Sequence, residues 1–219
     1  MDRRKSIAAA RAAALALALV PLAGCQTAGP TRPPVRVEVQ QEPRAWQRTI
    51  APEHLSLVEG IDRGWADALE AARTAGFARR IRSEGALLEP SAAKNWATPS
   101  PGSYRCRRVR LGAQGRERGF AASGPFFCHV GDEGDQLSLT QQTGPERPGG
   151  YLWDDGPQRM VFIGAISRGR EDVPPAYGAA PERDVVGLFE RIGPFRFRLV
   201  VPRRSGGIDV VELIALPPG

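Results

Sequence analysis

The chain has 219 residues, of which 25 are Gly and 20 are Pro, and 42% are apolar but only 7% aromatic. That length suits one domain with extensions, and the apolar share suits one packed core, which excludes a wholly disordered chain; the Pro and Gly excess favours short strands and turns over a helical bundle. The formal charge of +6 falls to 26 basic against 23 acidic side chains once residues 1–24 are set aside, only Lys5 and Lys94 are lysine, and the arginines are interleaved with acids, so no nucleic-acid partner is expected.

Residues 1–24 are predicted to be an export signal, with the basic start Arg3-Arg4-Lys5 followed by an apolar run over 12–22 that is too short to span a bilayer. The run ends in Leu22-Ala23-Gly24-Cys25, which resembles the lipobox of bacterial lipoproteins. The resemblance implies cleavage before Cys25 and acylation (palmitate-type chains) of its thiol. Gln26 in place of an aspartate implies an outer-membrane address facing the periplasm. Residues 25–44 are rich in Pro, Thr, Gln and charge and read as a tether.

Residues 45–102 are expected to be a helical segment and a connector. Leu55, Val58, Ile61, Trp65, Leu69 and Ala72 recur at spacings of three and four, which predicts an amphipathic helix over 52–76 with Trp65 as a core anchor. A shorter helical piece is expected near 77–81. Pro90, Pro99 and Pro101 then bar a regular helix.

From 103 to 219 the pattern is antiparallel β. About eight strands are predicted, near 104–111, 117–121, 125–130, 136–141, 149–153, 158–166, 184–192 and 195–202, with 208–214 as a ninth. Phe195, Phe197, Leu199 and Val201 alternate with Arg196 and Arg198, as in a half-buried strand, whereas 160–166 is apolar on both faces. Turn residues at 154–157, 193–194 and 205–207 supply hairpins. The expected fold is mainly β, a barrel-like or strongly curled sheet carrying the N-terminal helix, with a β-sandwich as the alternative.

Cys106 and Cys128 face one way on neighbouring strands and are expected to form a disulfide, against the rival readings of a catalytic thiol or a metal pair with His129. His54 and His129 are both expected at the surface. The acidic clusters 132–135 and 154–156 lack calcium-loop spacing and read as turns whose carboxylates bond local amides. No cofactor and no metal site is indicated. Arg105, Arg107, Arg108 and Arg110 form the densest basic cluster and are candidate anion ligands.

Pro101-Gly102-Ser103-Tyr104-Arg105-Cys106, Thr143-Gly144 with Arg147, 160–164, Tyr177-Gly178, Arg183-Asp184 and 190–193 together resemble a family of exported alphaproteobacterial proteins, many from sphingomonads, known as a domain of unknown function. The resemblance implies an envelope address and carries no catalytic residue. More loosely, a paired-cysteine barrel behind an export signal looks like the calycin group. The function expected is that of a lipid-anchored envelope protein, non-enzymatic, that binds a small ligand in an open barrel or a partner protein on a filled one. Two alternatives stand beside it: an envelope hydrolase using His129 with a nearby carboxylate such as Asp184 or Glu190, and attachment to anionic glycan or lipid A through the Arg105 to Arg110 cluster.

Overall fold

A computed structural model of the chain describes residues 42–112 and 119–217. The expected export signal, the lipobox with Cys25 and the tether up to residue 41 lie outside the described residues.

Nine strands form close to the predicted positions: β1 (Gly102–Leu111), β2 (Phe120–Ala122), β3 (Phe126–Asp132), β4 (Leu137–Gln141), β5 (Glu146–Asp154), β6 (Arg159–Arg168), β7 (Asp184–Gly193), β8 (Arg196–Pro202) and β9 (Ile208–Ala215). From β3 onward each pairs antiparallel with the next, and β9 returns to β1 from Tyr104↔Ala215 to Leu111↔Ile208. Eight strands therefore close an up-and-down barrel, and the sandwich alternative is set aside. The short β2 prolongs β3. It pairs Leu111↔Phe120 and Val109↔Ala122 on β1, and the β3 pairing resumes at Cys106↔Phe126 one residue out of step. Gly124 and Pro125 occupy this bulge, where Pro has no amide to offer a ladder.

Closure gives each strand an inside and an outside. Tyr104, Cys106, Val130, Leu139, Leu152, Phe162, Phe189, Phe197, Leu199 and Leu213 fill the inside, together with Ala97 of the connector at one end. Phe189 stacks on Phe197 with centroids 5.4 Å apart. Tyr104 is buried, which pushes its phenol up, and its hydroxyl donates to Ser100 O at 2.6 Å. Cys106 and Cys128 are disulfide-bonded with Cα atoms 6.1 Å apart, inside the barrel. The thiol and metal-pair readings of these cysteines fall with that bond.

The helical segment lies outside the barrel. It comprises α1 (Ala45–Thr49), α2 (Pro52–Glu59), α3 (Ile61–Ala72) and α4 (Ala78–Glu84), with Gly60 between α2 and α3 and a wider turn at Arg73–Phe77 before α4. The predicted stripe is the buried one: Val58, Ile61, Trp65, Leu69 and Ala72 meet Val109, Leu188, Val200 and Val210 on the outer wall. This cover makes β6 and β7 apolar on both faces, as 160–166 led us to expect.

Three expectations are corrected. Phe195 does not point inward; it sits in the β7–β8 turn with φ 51° and is largely exposed. Arg198 does not face solvent, because the outer face of β8 lies beneath the helices, and its side chain is fully buried. Asp155 is no local turn ligand: its buried carboxylate accepts from Trp46 Nε1 at 2.8 Å and Arg159 Nε at 2.6 Å, and it pairs with Arg44. These contacts fasten the start of α1 to the β5–β6 hairpin.

Candidate binding site on the outer wall

A ligand pocket in a small barrel is expected inside it. Here the inside is closed by side chains. A void among the described residues there, lined by Cys128, Gln141, Pro148, Phe162 and Leu199, is about 20 Å³, room for no more than a single water.

A larger space than this void lies outside, on the wall of β4, β5 and β6 that the helices leave open. It is a cleft of about 420 Å³ beneath the strap 169–183 that joins β6 to β7. On its floor Gly149 faces the strap: a Cβ there would lie 2.9 Å from Pro174 Cγ. A side chain at this position would push against the proline, so the glycine lets the strap come close to β5. Tyr151 and Trp153 project from β5, Pro174, Pro175 and Tyr177 form the strap side, and Glu133, Ser138 and Thr140 supply polar atoms along one edge. Ser138 Oγ donates to Glu133 Oε1 at 3.1 Å.

The strap is held in place by named contacts. Arg183 pairs with Glu171 and its Nε donates to Ile166 O at 2.8 Å. Glu171 also accepts from the Arg168 amide at 2.8 Å, and the Arg183 contact, first among several causes, holds its carboxyl below the usual range. At the far end Gly178 N donates to the Asp184 carboxylate at 3.0 Å. The Tyr177 hydroxyl accepts from Ala51 N at 3.0 Å and lies 2.6 Å from His54 Nδ1. Burial pushes the Tyr177 phenol up. The cleft is thus built in advance of any ligand.

The predicted site residues fall in different places. His54 is buried, a correction of its surface assignment, and serves the strap; His129 is exposed on β3. Around the eight-strand ring β3 and β7 stand diametrically opposite. Asp184 is engaged by Gly178 and Glu190 by Arg198, so neither of these two carboxylates is the partner of His129. The arginine cluster is divided by strand alternation. Arg105 and Arg107 lie on the outer wall, where Arg107 pairs with Glu84 and Glu212 at 2.5 Å each, while Arg108 and Arg110 turn inward at the end of the barrel. The cleft was missed in the sequence because the strap has no periodicity; Val173-Pro174-Pro175 beside Tyr177 was its one visible trace.

Among the described residues there is no group of three or more His, Cys, Asp or Glu placed to hold a metal ion, and no helix long and apolar enough to cross a membrane.

A closed meander barrel with a helical cover and a prebuilt outer cleft places the chain among β-barrel domains. Residues 46–213 match the family described as "Domain of unknown function (DUF4893)", and the chain belongs to that family. No curated protein matches it. Among solved structures, a redesigned beta barrel is similar at 11% identity over 53% of this chain and 91% of that one, with a TM-score of 0.36.

Proposed function

We propose that the protein is a non-enzymatic binding module of the cell envelope, anchored by lipid on Cys25, that engages its ligand or partner in the cleft between Tyr151, Trp153 and the strap. One observation carries this reading: among the described residues the void between the inward side chains is about 20 Å³ while the cleft on the outer wall is about 420 Å³. A filled barrel favours recognition on its surface over storage within it. The aromatic and proline faces suit an apolar or flat-faced group, and Glu133, Ser138 and Thr140 suit its hydroxyls or amines. The signal-like start and Leu22-Ala23-Gly24-Cys25 support the anchor.

Two measurements test it. Cys25→Ser is expected to move the protein from the membrane pellet to the soluble fraction; a variant that stays in the pellet overturns the anchor. A photo-crosslinking residue in place of Tyr151 is expected to capture a ligand in intact cells, while the same residue in place of Phe127, exposed on β3 outside the cleft, does not. Equal yields at both positions, or none at either, overturn the cleft.

A further inference from the structure

Trp96 and Phe195 are the described non-glycine residues with positive φ, at 67° and 51°. A backbone carrying a Cβ is strained there, and a bulky side chain is uncommon. They are also the two most exposed aromatic side chains among the described residues, at 80% and 72%. Backbone strain and an aromatic ring left in water are separate costs, and both fall on the same two residues.

Both residues stand at the connector end of the barrel. Trp96 N donates to Pro157 O of the β5–β6 turn at 2.8 Å, and the Lys94 amide donates to Arg191 O of β7 at 2.8 Å. Phe195 occupies the β7–β8 turn, and its carbonyl accepts from Ala215 N at the end of β9 at 3.0 Å. The exposed Leu216 follows Ala215. Backbone bonds thus hold both rings in place before anything covers them. Arg191 Nε and Nη2 donate to Asn95 O at 2.9 and 2.6 Å beside Trp96, and among the described residues neither Lys94 nor Arg191 is in an ion pair. Asp132, Glu133 and Asp135 are at this end too, near the β3–β4 turn, which stands across the eight-strand ring from the β7–β8 turn.

The described chain also begins at this end. Arg44 donates to Asp155 O at 2.8 Å and pairs with the Asp155 carboxylate, next to the β5–β6 turn. An acyl group on Cys25 would be joined to the barrel here, through a chain to Glu42 whose flexible form averages about 20–25 Å. Of the two ends, this one is then offered to the bilayer.

We propose, resting on the Cys25 anchor proposed above, that Trp96, Phe195 and Leu216 dip into the headgroup region of the membrane that carries the protein, with Lys94 and Arg191 on the lipid phosphates. Tryptophan suits that layer because its apolar ring and its polar N–H each find a matching phase. A lipid interface takes both rings out of water without a shape-matched partner, and nearby cations add attraction to anionic lipid. The acyl group supplies the attachment and the rim sets the orientation, with the β3–β4 carboxylates tilted away from the phosphates.

The test uses the full chain, expressed with its leader, purified from membranes and reconstituted into vesicles of phosphatidylethanolamine and phosphatidylglycerol whose acyl chains are brominated or plain. Bromine is expected to quench part of the tryptophan emission. Trp96→Phe should lose that quenching, because Trp46 and Trp65 are buried and Trp153 lines the wall cleft. Adding Phe195→Trp to Trp96→Phe should restore it, whereas adding Phe127→Trp, exposed on the side of β3, should not. Acylation of Cys25, read by mass, reports on the anchor separately. An acylated chain without quenching overturns the rim and leaves the anchor, while quenching of a chain whose Cys25 is bare overturns the anchor and leaves the rim. Quenching that persists in Trp96→Phe, that Phe195→Trp fails to restore, or that Phe127→Trp restores equally well, overturns the proposal. So does a blue shift of Trp96 emission that grows with protein concentration without vesicles, which assigns the rings to a second copy of the chain.

Discussion

Arg198 uses its guanidinium as a bracket between the barrel and its cover. Nε donates to Glu190 Oε2 at 2.7 Å, Nη1 to Ala86 O at 3.0 Å and Glu89 O at 2.6 Å, and Nη2 to Pro90 O at 2.9 Å, while the Trp65 ring lies 4.4 Å from the charge. The carbonyls belong to the irregular turns after α4, which have few backbone partners of their own. Burial pushes the Glu190 carboxyl up and the Arg198 guanidinium down, and their mutual attraction works against both shifts. Removing one partner strands a buried charge. Arg198→Met is expected to lower stability in urea unfolding by about 3–5 kcal/mol. Arg198→Met with Glu190→Leu should recover part of that loss, since no lone carboxylate then remains; a double variant no better than the single would mean that the carbonyl contacts dominate. Nothing in the strand pattern announced this residue. Phe197 and Leu199 around Arg198 read as a half-exposed strand, and only the helices on the other face turn a solvent position into a core one.

The strap shows how an element without regular structure is kept in one place, and it carries a pH dependence with a definite sign. The Glu171 carboxyl is held below its ordinary value of 4.5, first by Arg183 and then by the Arg168 amide. A lowered folded-state value means that the unfolded or released strap takes up a proton first as acid is added. The contribution to strap attachment is therefore complete above 4.5 and is lost as pH falls below that value toward the folded-state one. Hydrogen-exchange protection of the strap amides, taken relative to the intrinsic rate at each pH, is expected to fall on acidification through this range in the native chain. In Glu171→Gln the protection should be low already at neutral pH and nearly flat across the same range; equal protection in both proteins at neutral pH would refute the anchoring role. The regular elements were legible where this one was not. The stripe from Val58 to Ala72 has helical spacing, and Gly193-Pro194 and Ser205-Gly206-Gly207 end their strands with residues whose backbone preferences mark turns. A strap fastened by Arg183, Tyr177 and Asp184 depends on partners far off in the chain, which no local window contains.

At the scale of the whole molecule, stability depends on a ring stapled across its first turn. The disulfide joins β1 to β3 over 22 residues. Its effect is on the unfolded chain, which loses loop freedom, and for a loop of that length the expected stabilisation is about 3 kcal/mol. Cys106→Ala with Cys128→Ala is expected to reduce global unfolding stability by about that amount, with the circular dichroism of the folded domain preserved; an unchanged midpoint would show that the pairing of β1 with β9 already imposes the constraint. The two cysteines could be read from their shared facing, and the strand count from turn spacing. Closure could not, because a sandwich and a barrel have the same alternation and differ only in whether the last strand meets the first. The same register decides which arginines of β1 look inward, a division hidden in a cluster that looked uniform.

The meeting of Leu111 with Ile208 also sets a condition on how the protein is made. A ribosome delivers β1 nearly a hundred residues before the strand that must cover its edge, so a nascent chain carries an open, partly apolar sheet for most of its synthesis. A reading frame cut short anywhere ahead of β9 leaves that sheet permanently open, with two edges that can template other chains. Loss of the codons for β9 would therefore act less like a trimmed edge than like a missing keystone.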